Sequence, residues 1–557
     1  MAAAVLARAA LGRVGRLGPG RPRSTVAAAA PARGWLPPAW ALGGGLGAAG
    51  AGGYYVWYAR EAPERYDGEA ELVNWSHTHA VAPRRLYEPE TVPELERTVA
   101  QAHRQGRKLR PVGNALSPNG LAFEAEGMVS LGLLDQVLFV DKFKRQVTVQ
   151  AGASVGSVLK ALAPYGLTLQ NLASIAEQQV GGFVQVGAHG TGATLPTVDD
   201  TVVSMKLVTP AKGTIELSQD SDPELFKLAK VGLGALGVVS EVTLQCVPQH
   251  RLLEHTFVTT PAAIKKNHAR WLKENKHLRY MWIPYTDTVV AVACNDFAEG
   301  QRLPLAARLR RPRSDAYKLA PLLDLLEAES GGGRERFAGL SFADLRDQLI
   351  KLHPLDKDWI VRVNRAEAEF WKRNQGYAVG DSGGVLGFDC GGQQWVHEVG
   401  FPTGSLERSG GQDLAYMEEL LKCIEARGIP APAPLEQRWT STSSSALSVG
   451  SHPDPEEVHS WVGVIMYLPS DDEAERAAIT AAFGDYCAHK HEIDRAYGAW
   501  PHWAKIEMPA TPEGVAEMKE AARRRFPVRE FAAARRELDP KGILANALVE
   551  ELFGVEE

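Results

Sequence analysis

The sequence predicts an α+β fold in a chain of more than one domain, and three observations predict it. The 557 residues exceed what one ordinary domain holds. Alternating apolar segments and amphipathic stretches interleave within ~180 residues, the pattern of mixed strands and helices. Three glycine-bearing loops separate them: Val112 to Gly120, Gly181 to Gly192, and Gly232 to Gly237. The apolar fraction of 45% and charged fraction of 23% are those of a folded protein, and a formal charge of −6 offers no basic field for nucleic acid. Cys246, Cys294, Cys390, Cys423 and Cys487 are far apart, with no CxxC, so neither a disulfide framework nor a zinc site is signalled.

The chain opens with Arg8, Arg13, Arg16, Arg21, Arg23 and Arg33 among many alanines, and no acid precedes Glu61. A positive, acid-free segment reads as an organelle presequence over 1–35, mitochondrial first and plastid second. Residues 36–58 carry no charge. Their length suits a membrane span, with Trp40, Tyr54, Tyr55, Trp57 and Tyr58 as interfacial aromatics, while their glycine density equally suits a flexible spacer.

Glu90 to Leu95 reads as a turn opening an amphipathic helix through His103, with acids in its first turn. Lys108 to Val112 reads as a strand, and Gly113 to Gly120 is too rich in turn formers to continue it. Alternating segments follow at Val137 to Val149 and Met205 to Thr209, with a helix over Val155 to Tyr165. The loop Gly232 to Gly237 spells G-x-G-x-x-G, but a dinucleotide site of the Rossmann kind needs a strand before it and a helix after. Here Asp222 to Leu228 reads as a capped helix and Val238 to Leu244 as a strand, so that reading is rejected. Separate loops that bare backbone N–H groups instead suit an elongated diphosphate.

Taken in order and spacing, RPVGNALSPNG, LTLQNLASIAEQQVGGFVQVGAHGTGA and GLGALGVVSEVTLQ resemble the FAD-binding PCMH-type domain of the vanillyl-alcohol oxidase family, and most of all its aldonolactone branch. PLEQRW, PHWAKIE and RRELDPKGIL extend the resemblance to the C-terminus. It implies an FAD-binding domain over 67–250, an α+β cap over 251–483 and a C-terminal segment over 484–557 that completes the site. Within the cap, Arg302 to Arg313 reads as a solvated basic face.

The resemblance assigns cofactor contacts to Pro111, Val112, Gly113, Asn114, Ala115, Leu116 and Ser117 in the first loop. Ala173 and Ser174 follow, then Gly181, Gly182, Gly187, His189, Gly190, Thr191 and Gly192 in the second loop, and Gly237, Val238 and Val239 in the third. Leu116 stands where many relatives carry a histidine bonded to the flavin, so the FAD is expected to be noncovalent, with His189 structural or part of the phosphate loop. The methyl group of Ala173 is expected to obstruct oxygen at the flavin, favouring a dehydrogenase.

Glu436 and Arg438, two apart, share one face if they lie on a strand. On spacing alone they read as a surface ion pair worth ~0–1 kcal/mol. The resemblance instead places them over the flavin, Glu436 on substrate hydroxyls and Arg438 on the reacting oxygen and the flavin N1–C2=O edge. Lys505 is placed beside the same edge, and Ser174 joins these three as a catalytic candidate. A cation there stabilises charge as it develops during hydride transfer.

The implied reaction is oxidation of an aldono-1,4-lactone, L-galactono-1,4-lactone first, at its C2 hydroxyl, with electrons passing to cytochrome c and with attachment to the inner mitochondrial membrane or residence in the intermembrane space. Two alternatives stay open: an oxygen-using oxidase of another lactone or an alditol, and a scaffold in the assembly of respiratory complex I.

Overall fold

The computed structural model describes residues 71–331, 333–387 and 392–554. The expected presequence and segment 36–58 lie outside the described residues. Among the described residues, no helix is long and apolar enough to cross a membrane.

The first lobe begins with the helix Val92–Gln105. Thr91 caps it by accepting the N–H of Glu94, Pro93 sits in its first turn, and Gly106 ends it in the left-handed conformation at φ 63°. Its buried face of Leu95, Thr98, Val99 and Ala102 turns towards the core. The strand Arg110–Val112 lies beside Met128–Ser130 and Leu86–Tyr87 in a small parallel sheet. The expected alternating segment 137–149 is a hairpin of Val137–Asp141 and Gln146–Gln150, and the expected helix is Val155–Leu162 followed by a 3₁₀ turn to Tyr165. A five-stranded antiparallel sheet runs in the order Gly213–Ser218, Val202–Thr209, Val238–Gln245, Gln146–Gln150, Val137–Asp141. The helix Pro223–Lys230 precedes the G-x-G-x-x-G loop and the strand Val238–Gln245 follows it, the reverse of a Rossmann turn.

The cap is built on an eight-stranded antiparallel sheet. Its order is Gly376–Asp381, Arg251–Thr259, Val289–Asp296, His277–Trp282, Leu435–Ser441, Glu457–Tyr467, Gln394–Ser405, Trp500–Pro501. The helices Pro261–Glu274, Gln412–Arg427 and Glu473–Ala496 share one apolar cluster with this sheet, through residues such as Ile264, Tyr416, Leu420 and Phe483. The basic run from Arg302 to Arg313 is exposed except at Ala307.

Residue 484, where the C-terminal segment was expected to begin, lies inside the helix Glu473–Ala496. The chain leaves the cap only after it, adds Trp500–Pro501 to the sheet edge, and then packs back on the first lobe. There the N–H of Leu109 donates to the carbonyl of Ile543 at 2.8 Å, and that of Ala211 to Leu538 at 2.9 Å.

Candidate active site

One large cavity lies between the two lobes, with about 2050 Å³ of space including its open mouth. On the first-lobe side the wall contains Pro111 to Ser117, Ala173, Ser174, Gly181, Gly182, His189 and Val239. Ser174 holds a left-handed backbone at φ 71°, as does Ala115 at φ 50°, conformations that non-glycine residues keep only where the surroundings enforce them.

Gly187, Gly190, Thr191, Gly192, Gly237 and Val238 are not in this wall. Most of them serve close packing. A Cβ on Gly190 would stand 2.2 Å from Asn171 Oδ1 and 2.5 Å from the Leu172 carbonyl oxygen. The N–H of Gly192 donates to the Trp439 carbonyl at 2.7 Å, and the Thr191 carbonyl accepts from His277 Nδ1 at 2.7 Å, so this stretch joins the first lobe to the cap sheet. Gly237 lets its strand approach Leu207, and Val238 points away from Val239 by strand alternation. Gly187, at φ 63°, turns the loop and offers its carbonyl to His502.

On the cap side, alternate residues of four adjoining strands face the cavity: Arg279 and Met281; Glu436 and Arg438; Gly463, Ile465 and Tyr467; Gln394, Val396 and Glu398. Glu436 and Arg438 therefore do share a face. In register, Gly463 lies between Glu398 and Glu436. Two strand spacings separate these carboxylates by ~10 Å at the backbone, and the glycine between them leaves a notch in the floor.

Glu398 is the hub of this floor. It is 1% exposed, and its two oxygens accept hydrogen bonds from Arg438 Nη2 and Lys505 Nζ. His189 Nε2 lies 3.3 Å from Glu398 Oε2. Glu436 lies 3.4 Å from both Arg438 Nε and Arg279 Nη1. Burial alone pushes the Glu398 carboxyl up, but Arg438, Lys505 and His189 together hold it well below the usual carboxylate range. His189 is pushed below the ordinary imidazole value, by burial first and by Arg438 and Lys505, against the pull of Glu398.

Three parts of the chain meet at this cluster. Trp500–Pro501 pairs with Gly400 and Val399, the N–H of His502 donates to the Glu398 carbonyl at 2.8 Å, and the 3₁₀ turn Trp503–Lys505 then points its lysine at the Glu398 carboxylate. His189 arrives from the first lobe and stacks on Trp461 at 3.8 Å between ring centres. Trp461 has room because Gly400 beside it carries no side chain: a Cβ there would lie 2.9 Å from the indole. Sequence reasoning missed Glu398, Arg279, Gln394 and Tyr467. The one signal for Glu398 is a lone acid among mostly apolar neighbours in Trp395 to Phe401.

A flavin dinucleotide fits this cavity. The buried Oε1 atoms of Gln178 and Gln179, both in the wall, have no hydrogen-bond partner among the described residues. Nor do the N–H groups of Asn114 to Ser117 donate to another described residue, which leaves them available to an anionic diphosphate. Gly182 faces open space where a side chain would enter the cavity. When bound, the flavin supplies a two-electron acceptor.

Comparison with known proteins agrees with this layout. Residues 83–218 match the family described as FAD binding domain. Cholesterol oxidase from B. sterolicum superposes with a TM-score of 0.68 at 17% identity, over 89% of this chain and 99% of that one, a likeness of fold. L-galactono-1,4-lactone dehydrogenase 1, mitochondrial, of Oryza sativa subsp. japonica is 52% identical over 490 residues, covering 87% of this chain and 84% of that protein. The Arabidopsis thaliana L-galactono-1,4-lactone dehydrogenase, mitochondrial, is 50% identical over 494 residues, covering 86% and 81%. L-gulonolactone oxidase of Bos taurus is 28% identical over 484 residues, covering 86% and 97%. With residues 242–319 and 347–552 matching D-arabinono-1,4-lactone oxidase, the chain belongs to that family of FAD-binding oxidoreductases.

Proposed function

We propose that the protein oxidises L-galactono-1,4-lactone at its C2 hydroxyl with noncovalent FAD, that enolisation of the product gives ascorbate, and that the electrons leave to cytochrome c. The observation that carries this reading is the pair of cations, Arg438 and Lys505, gathered by one buried carboxylate in a cavity whose opposite wall is the loop Pro111 to Ser117 with Gly181 and Gly182. A bound flavin would supply the two-electron acceptor, and Arg438 and Lys505, fixed in advance by Glu398, would favour the negative charge that develops in the site. Glu436, partly exposed at the notch, is suited to hold substrate hydroxyls. Residues 67–250 hold the cofactor, the cap from 251 covers the substrate, and the segment after Ala496 returns with Lys505. The names of the plant relatives and the acid-free N-terminus support a mitochondrial location, and attachment to the inner membrane rests on residues 36–58.

Two features favour a dehydrogenase over an oxygen-using oxidase: the Ala173 side chain in the cavity wall, and the dehydrogenase names of the relatives at 50–52% identity. The test is to reduce the bound flavin anaerobically with the lactone and then offer either ferricytochrome c or air. Fast reoxidation by cytochrome c with slow reoxidation by air is expected; the opposite order would make the protein an oxidase.

A further inference from the structure

Oxidation of a secondary alcohol removes a proton as well as a hydride, and the proton needs an acceptor. Arg110, Arg279, Arg346, Arg438 and Lys505 line the cavity as cations and cannot take it. Glu436, between Arg438 and Arg279, is the residue assigned above to hold substrate hydroxyls. His502 is satisfied by a single proton: its Nε2 donates to the Gly187 carbonyl at 3.3 Å, and its Nδ1 accepts from the N–H of Ala504 at 3.1 Å.

His189 differs. Its Nδ1 lies 3.0 Å from the Gly190 carbonyl oxygen and its Nε2 lies 3.3 Å from Glu398 Oε2, so both ring nitrogens face acceptors. A neutral imidazole carries one N–H and leaves a lone pair facing an oxygen; the imidazolium satisfies both contacts. The ring cannot turn away easily, because it is stacked on Trp461 and 3% exposed. Burial, with Arg438 and Lys505, keeps the resting imidazole neutral, and the anionic Glu398 opposes them. His502 lies 5.5 Å away, ring centre to ring centre, and is itself pushed well below the ordinary imidazole value by burial first and then by Lys505. The resting cluster is therefore one proton short.

We propose that Glu398 and His189 form the proton acceptor of the reaction, the hydroxyl proton being taken up by the His189 ring, whose imidazolium then donates to both Glu398 Oε2 and the Gly190 carbonyl. This rests on the lactone-oxidising reading above. The substrate C–H bond would break, its electron pair leaving as hydride to the two-electron acceptor that bound FAD would supply. The O–H bond breaks, its electron pair becomes the second bond of the new carbonyl, and the proton forms the N–H bond at His189. Glu398, already compensated by Arg438 and Lys505, does not keep the proton; it orients the imidazole and favours its charged form.

The test compares the FAD-loaded parent with Glu398→Gln and His189→Ala by anaerobic stopped-flow bleaching under saturating L-galactono-1,4-lactone across pH. Losing a general base costs ~10²–10⁴ in rate, so both variants are expected to bleach at least a hundredfold more slowly. The parent rate should hold its plateau through pH ~6.5, the ordinary imidazole value, and fall only at lower pH as His189 becomes protonated in advance; His189→Ala should lose that acid limb and Glu398→Gln should move it to lower pH. Added imidazole should restore His189→Ala in proportion to its concentration. Binding of the 2-deoxy lactone, which lacks the reacting hydroxyl, should shift the flavin spectrum with an affinity within about twofold of the parent. Parental rates with a parental pH profile in Glu398→Gln, or no rescue by imidazole, would overturn the proposal while leaving the lactone reading intact. A parent that the lactone does not bleach would instead overturn the lactone reading, and this with it.

Discussion

Leu116 and Ala173 face the same cavity and support separate expectations. Leucine has no nucleophilic atom to bond a flavin, so acid precipitation should leave yellow supernatant and colourless protein. Flavin held in the pellet would show an attachment elsewhere. Ala173 presents one methyl group to the cavity, half-buried in the wall. Ala173→Gly is expected to speed reoxidation of the reduced flavin by air while sparing its reduction by lactone. If air reoxidation is no faster than in the parent, the methyl group is not the barrier. Glu398 had no comparable visibility in the sequence. It belongs to no short motif, and its partners come from positions 189, 438 and 505, so nothing local marks it as different from a buried structural acid.

At the scale of elements, the GGFVQVGAHGTG stretch divides into two jobs that its glycine content alone did not separate. Gly181 and Gly182 open the short helix Val180–Gln185 and border the cavity, whereas Gly190 to Gly192 lock the loop against Asn171, Leu172 and the cap strand Leu435–Ser441. Substitution tells them apart. Gly182→Ala adds a methyl group where the protein leaves open space and replaces a poor helix former, so folding stability should hold or rise by ~0.5–1 kcal/mol while FAD affinity falls. Gly190→Ala forces a methyl group into Asn171 and the Leu172 backbone, and overpacking of this kind costs ~1–3 kcal/mol. Urea unfolding of the two apoproteins, paired with FAD titration, checks both. A Gly190→Ala protein as stable as the parent would refute the joint, and unchanged FAD affinity in Gly182→Ala would refute the cofactor wall.

Across the whole molecule, what was legible in the sequence was local: the capped helix at Thr91, the reversed order around Gly232 to Gly237, and the Glu436/Arg438 spacing on one strand face. What was not legible depends on distant pairing. The return segment was expected from 484, but that position is held in a 24-residue helix whose apolar residues Ile479, Phe483 and Tyr486 bury against the cap. Only after this helix does the chain bond the Glu398 strand and bring in Lys505.

Both lobes and the returning segment converge at Glu398, and that is where the lactone is proposed to be oxidised. The most direct measurement is anaerobic stopped-flow reduction of the bound flavin by L-galactono-1,4-lactone in the parent and in Arg438→Ala. Loss of a preorganised donor to developing charge costs ~10²–10³ in rate, so the parent should bleach fully and the variant at least a hundredfold more slowly under saturating lactone, with Arg438→Lys between them if charge alone is what matters. A variant that bleaches at the parental rate would contradict the account and return Glu436 and Arg438 to the role of a structural ion pair.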